Sequence, residues 1–160
     1  MSLLKLFGSK EKIIKKPATT ETQFSDIKYI SLFIVDDNES FANLLSNHLV
    51  NKEKGKTLKV RYNITKYTTG EECLANLHTK PDIILLDYFL SSTESDLDGD
   101  VVFKKIMEFN PQQKVVMLSG QEESTIVLSL IKMGLRDYIM KDDEMFEQLQ
   151  HVLLEVYNSK

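Results

Sequence analysis

Four short apolar runs in this chain each stop at a reactive polar residue, and this recurrence constrains the fold more than any other feature. Leu32-Phe33-Ile34-Val35 leads into Asp36-Asp37, and Ile83-Ile84-Leu85-Leu86 into Asp87. Val115-Val116-Met117-Leu118 leads into Ser119, and Tyr138-Ile139-Met140 into Lys141. Runs of this length without polar alternation read as strands covered on both faces. Helical patterns separate them, so the strands are expected to lie parallel, with their carboxyl ends on one edge of a sheet. Ligand sites of open α/β sheets form at that edge. Three carboxylates, a hydroxyl and an ammonium are therefore expected to converge on one small patch.

The intervening segments complete a regular alternation. The first strand is predicted over 31–36, followed by a helix with Phe41, Leu44, Leu45, His48 and Leu49 at the spacing of one buried stripe. Lys52 to Lys56, with Gly55, reads as a turn. A second strand over 59–66 alternates Val60, Tyr62 and Ile64 with Arg61, Asn63 and Thr65, the pattern of a strand with one wet face at a sheet edge. Cys73, Leu74 and Leu77 mark a short helix, which Pro81 stops. A polar loop from Ser91 to Asp98 follows Asp87, and Gly99 precedes a helix with Val102, Phe103, Ile106 and Met107 that ends at Asn110-Pro111. The fourth helix carries Ile126, Val127, Leu130 and Ile131, with Gly134 as its C-cap. Asp142 or Asp143 can cap the last helix, whose stripe is Phe146, Leu149, Leu153 and Tyr157. Strand and helix alternate five times, which predicts an α/β fold on a five-stranded parallel sheet.

Residues 1–29 differ from the domain at 30–160. They hold Lys5, Lys10, Lys12, Lys15 and Lys16 beside Leu3, Leu4, Leu6 and Phe7, and read as a flexible or weakly amphipathic extension. With 160 residues and a net charge of -4, the chain suits one soluble domain and shows no basic stripe for nucleic acid. No apolar stretch approaches the roughly 20 residues of a bilayer span, and Lys5 interrupts the only candidate signal-peptide core. Cys73 is the lone cysteine and reads as a small buried hydrophobe, consistent with a reducing, cytoplasmic setting.

The polar strand ends suggest phosphoryl chemistry. Asp36, Asp37 and Asp87 crowd like charges that repel unless a cation sits among them. Oxygen ligands without His or Cys favour a hard ion such as Mg²⁺. Asp87, alone at its strand tip, is the best-placed nucleophile, and carboxylates can form an aspartyl phosphate. Lys141 supplies a point charge for phosphate oxygens and Ser119 a hydroxyl donor.

From about Ile30 to Asn158 the chain resembles a response regulator receiver domain. The resemblance rests on Val35-Asp36-Asp37-Asn38, Leu85-Leu86-Asp87, Leu118-Ser119-Gly120 and Asp137-Tyr138-Ile139-Met140-Lys141, in that order. It implies a flavodoxin-like, doubly wound sheet of order 2-1-3-4-5. It also implies that Asp36 and Asp37 hold Mg²⁺, Asp37 more directly, and that the backbone carbonyl of Phe89 completes the metal shell. Asp87 would accept phosphate from a histidine kinase or phosphotransfer protein. Ser119 and Lys141 would bind the phosphoryl group, and the Tyr138 rotamer would report it.

The chain departs from the family's pattern in three places. Asp142 stands where the family has a cis proline after its lysine, and a cis bond without proline costs about 2.5–4 kcal/mol. The loop from Tyr88 to Asp98 is longer than usual and acidic at Glu94, Asp96 and Asp98. Phe89 places an apolar side chain beside Asp87.

The expected output is a switch of protein contacts, to a downstream protein or a second copy, through the face of the fourth helix, fifth strand and fifth helix. A chain closing at Lys160 is expected to carry no output domain. Two alternatives stay open: a receiver-like interaction module that is not phosphorylated, and a phosphatase with an aspartate nucleophile. The phosphatase pattern expects a second Asp where Phe89 stands.

Overall fold

The computed structural model describes residues 27–53, 60–90, 97–120 and 124–159. Five parallel strands form one sheet: β1 (Lys28–Val35), β2 (Val60–Tyr67), β3 (Ile83–Asp87), β4 (Val115–Ser119) and β5 (Asp137–Met140). Their order is β2-β1-β3-β4-β5, so the winding direction reverses between β1 and β3. Five helices alternate with them: α1 (Glu39–Glu53), α2 (Gly70–Ala75), α3 (Gly99–Phe109), α4 (Ser124–Lys132) and α5 (Met145–Ser159). A single 3-10 turn, Leu77–Thr79, follows α2. The doubly wound fold and its strand order are those the sequence and the resemblance implied.

The central strands are buried on both faces, which is why they lack polar alternation. Leu32, Ile34, Ile83 and Leu85 face α1 and α5, where Leu45, Leu49, Leu149 and Leu153 complete one core. Phe33, Val35, Ile84 and Leu86 face the other way, against Cys73, Val102, Phe103, Ile106 and Leu130. Burial pushes the Cys73 thiol up to about 12, so at neutral pH it is an unreactive part of that core. The outer strand β2 keeps Arg61, Asn63, Thr65 and Lys66 exposed, as its alternation predicted.

Several boundaries and facings differ from the prediction. β1 starts at Lys28 rather than residue 31, because its backbone pairs with β2 from Lys28 opposite Val60 onward, and the Lys28 ammonium also donates to the Tyr157 carbonyl at 2.9 Å and lies over that ring. α1 runs through Glu53, past the expected start of a turn at Lys52, and residues 54–59 lie outside the described residues. Leu44 and Ile131, expected in buried stripes, face outward. Each stands at the border of its stripe, and Ala42 takes the buried place on α1. The side chain of Ile126 and the acidic loop residues 91–96 also lie outside the described residues. Gly134 adopts φ 102°, the left-handed conformation of a helix C-cap. Asp142 caps the approach to α5 by accepting from the Glu144 amide at 2.9 Å. All described peptide bonds are trans, including Lys141–Asp142.

Candidate functional site

The carboxyl ends of β1, β3, β4 and β5 meet at the reversal point, and the polar residues that end the apolar runs meet there. Asp36 follows β1 directly and Asp87 closes β3, and both residues are buried, with 1% and 5% exposure. Asp37 is half-buried beside them. One carboxylate oxygen from each of the three lies within 4.8 Å of the others. The Lys141 ammonium, arriving after β5, bridges Asp36 Oδ2 at 2.8 Å and Asp87 Oδ2 at 2.9 Å. Ser119 closes β4 with 2% exposure, one residue beyond Leu118, the register partner of Asp87. Its carbonyl accepts from the Lys141 amide at 2.7 Å, which fixes the backbone that carries the lysine.

Backbone amides hold the two buried carboxylates. Asn38 donates to Asp36 Oδ1 at 2.9 Å, and Phe89 donates to Asp87 Oδ1 at 3.4 Å. Burial dominates the electrostatics of Asp87 and pushes its carboxyl up to about 6. Lys141, by hydrogen bond and by charge, pulls it down, Asp36 repels it, and the Phe89 amide pulls it down slightly. The lysine therefore offsets only part of the cost of burying this charge.

Two site features escaped the sequence reading. Asn38 Oδ1 accepts from the Phe41 amide at 3.1 Å and so caps α1, a signature visible as Asn one residue before the helix. Phe41 turns its ring toward the Lys141 ammonium, 4.3 Å from the ring centre. No local pattern announces a contact across a hundred positions.

The remaining predicted residues sit around this centre. Tyr138 is half-buried and packs against the α2–α4 side of the core. The Phe89 side chain is 44% exposed, edge-on to the Tyr88 ring with 4.8 Å between centres. Gly99 allows α3 to start against the end of β3. A Cβ there would meet the Asp87 carbonyl oxygen and stand 2.7 Å from Tyr88 Cα, both backbone atoms that cannot rotate away. Gly99→Ala is expected to cost about 2 kcal/mol by overpacking. Urea melts check this, and an unchanged midpoint would mean the Asp87–Tyr88 backbone yields freely.

The donor set fits a hard divalent cation: three clustered carboxylates, all oxygen, two of them buried, with one ammonium in contact. A doubly wound sheet with an acidic pocket at its reversal point is the arrangement that the resemblance implied. The sequence model for the response regulator receiver domain matches residues 32–153, and the chain belongs to that family.

The chain is 26% identical over 130 residues to the transcriptional regulatory protein CssR of Bacillus subtilis, covering 79% of this chain and 52% of that protein. It is 34% identical over 113 residues to an NtrX-like response regulator of Rickettsia felis, covering 70% of this chain and 22% of that protein. It therefore spans about half or less of each relative's own length. In fold it matches the receiver domain of the Francisella response regulator 1452 with a TM-score of 0.66 at 20% identity, over 82% of this chain and 99% of that one. No helix among the described residues is long and apolar enough to cross a membrane.

Proposed function

We propose that residues 30–160 form a phosphoryl-accepting switch, with Asp87 as acceptor and residues 1–29 as an appended segment, acting in the cytoplasm. The observation that carries this reading is the grouping of three carboxylates within 4.8 Å, bridged by Lys141. The donor would be a phosphohistidine on a histidine kinase or phosphotransfer protein. An Asp87 carboxylate oxygen attacks phosphorus, the bond from phosphorus to the imidazole nitrogen breaks, and the imidazole leaves with the electron pair. The product is an acyl phosphate.

Asp36, Asp37, Asp87 and the Phe89 carbonyl would hold Mg²⁺, which supplies positive charge against the phosphoryl oxygens. Lys141 shifts from pairing with a carboxylate to pairing with the phosphoryl group, and Ser119 donates its hydroxyl. Hydrogen bonds to charged groups contribute about 1.5–3 kcal/mol each. Two approach the 5.5 kcal/mol that swings a two-state equilibrium from 1:99 to 99:1. Drawing Ser119 inward leaves room for Tyr138 and repacks the face of α4, β5 and α5. Leu128 and Ile131 stand exposed on α4 and would meet a downstream protein or a second copy there.

Incubation with acetyl phosphate and Mg²⁺, read by intact mass, tests the proposal. Uptake of one phosphoryl group, lost on chelation of the metal, is expected. A folded chain that takes up none is a receiver-like interaction module instead.

Phe89 is expected to shield the acyl phosphate from water, because its half-exposed ring sits two residues beyond the acceptor. Phe89→Asn should speed dephosphorylation about fivefold, the equivalent of about 1 kcal/mol. An unchanged decay rate in a phosphate-release assay would rule this role out.

A further inference from the structure

We propose that Phe41 is a positioning residue, acting through Lys141 to hold the ammonium toward the phosphoryl acceptor. The inference rests on the phosphoryl-transfer reading above. Its basis is a closed circuit of four residues that begins and ends on Asp36. The Asn38 amide donates to Asp36 Oδ1 at 2.9 Å, and Asn38 Oδ1 accepts from the Phe41 amide at 3.1 Å. The Phe41 ring centre lies 4.3 Å from Lys141 Nζ, and Lys141 Nζ lies 2.8 Å from Asp36 Oδ2. The first turn of α1, its cap, the buried carboxylate and the lysine from the opposite end of the sheet thus constrain one another.

The chemistry of the ammonium explains why an aromatic side chain suits this place. An ammonium carries three N–H donors and accepts nothing. Here two carboxylates stand within 2.9 Å of it, and the negative face of Phe41 covers a third side. An aliphatic residue would cover the same area without attracting the charge. Phe41 is itself anchored by packing on the core between the sheet, α1 and α5, so the ring does not move freely. A lysine held on three sides loses little freedom when a phosphoryl oxygen replaces one carboxylate oxygen at Asp87. That is preorganisation of charge where charge develops in the transition state.

The test is a double-mutant cycle on the full chain, measuring the rate of phosphoryl uptake from acetyl phosphate with Mg²⁺ by intact mass. Phe41→Leu and Phe41→Met, which keep apolar bulk, are each expected to slow uptake about fivefold, the scale of one lost cation–π contact. Phe41→Tyr keeps the π face and should stay within about twofold of wild type. In a Lys141→Met background, Phe41→Leu should have no further effect, because the residue it acts through is gone. Wild-type rates in both Phe41→Leu and Phe41→Met overturn the positioning role. So does a fivefold loss that persists without Lys141, since Phe41 would then act elsewhere. A wild-type chain that remains folded and takes up no phosphoryl group overturns the phosphoryl reading itself, and the role of Phe41 with it.

Discussion

Asp87→Asn is expected to abolish phosphoryl uptake and, in the same protein, to raise the stability of the metal-free fold by about 2 kcal/mol at pH 7.5. The first effect follows because an amide has no anionic oxygen to attack phosphorus. The second follows from burial. The Asp87 carboxyl is pushed from an ordinary 3.8 to about 6 in the folded chain, so the unfolded chain gives up this proton more readily. The stabilising contribution of the protonated form is complete below the ordinary carboxylate value. It drains away as pH rises through about 6. Above that the folded chain holds a buried charge that Lys141 only partly compensates. Urea melts with a chelator present should show wild type losing stability between roughly pH 4 and pH 6.5, with a flatter profile in the variant. Phosphoryl uptake by the variant at the wild-type rate would remove Asp87 from its role. A wild-type slope retained by the variant would place the titration elsewhere.

Lys141→Met is expected to destabilise the metal-free fold by about 3 kcal/mol at the same pH, the scale of stranding buried charges without a partner. Lys141 Nζ touches both Asp36 and Asp87, whose side chains are almost completely enclosed. Without it, Asp36 and Asp87 lose the ammonium that both of them contact. Magnesium added to the variant should restore much of the loss, because a ligand that binds only the folded state stabilises it by mass action. A variant as stable as wild type in chelator, or one indifferent to magnesium, would show that the lysine does not balance this pocket.

The strands were legible because burial on both faces leaves no room for polar residues, and because each run breaks abruptly at a charge or hydroxyl. Asp36, Asp87, Ser119 and Lys141 could therefore be assigned to one sheet edge from the pattern of the runs alone. The helix stripes were legible to within one position. Leu44 and Ile131 satisfy the helical period, yet a neighbour on the opposite border packs instead, and only the angle of the helix on the sheet decides which. The early start of β1 comes from its pairing with β2 from Lys28 opposite Val60, a tertiary contact with no local trace. The same holds for Phe41: its spacing marks a core residue of α1, which it is, and nothing nearby predicts a lysine over its ring. Periodicity reports which face is dry. It does not report what a side chain meets there.

β5 is the shortest strand of the sheet, four residues at its rim, and Lys141 follows it immediately. The lysine reaches back across 105 positions to Asp36. A chain in which β1 through β4 have formed without β5 would bring Asp36 and Asp87 together but lack the ammonium that both contact. On the proposed reading, the strand that is last in chain order is therefore the one that completes the acceptor site.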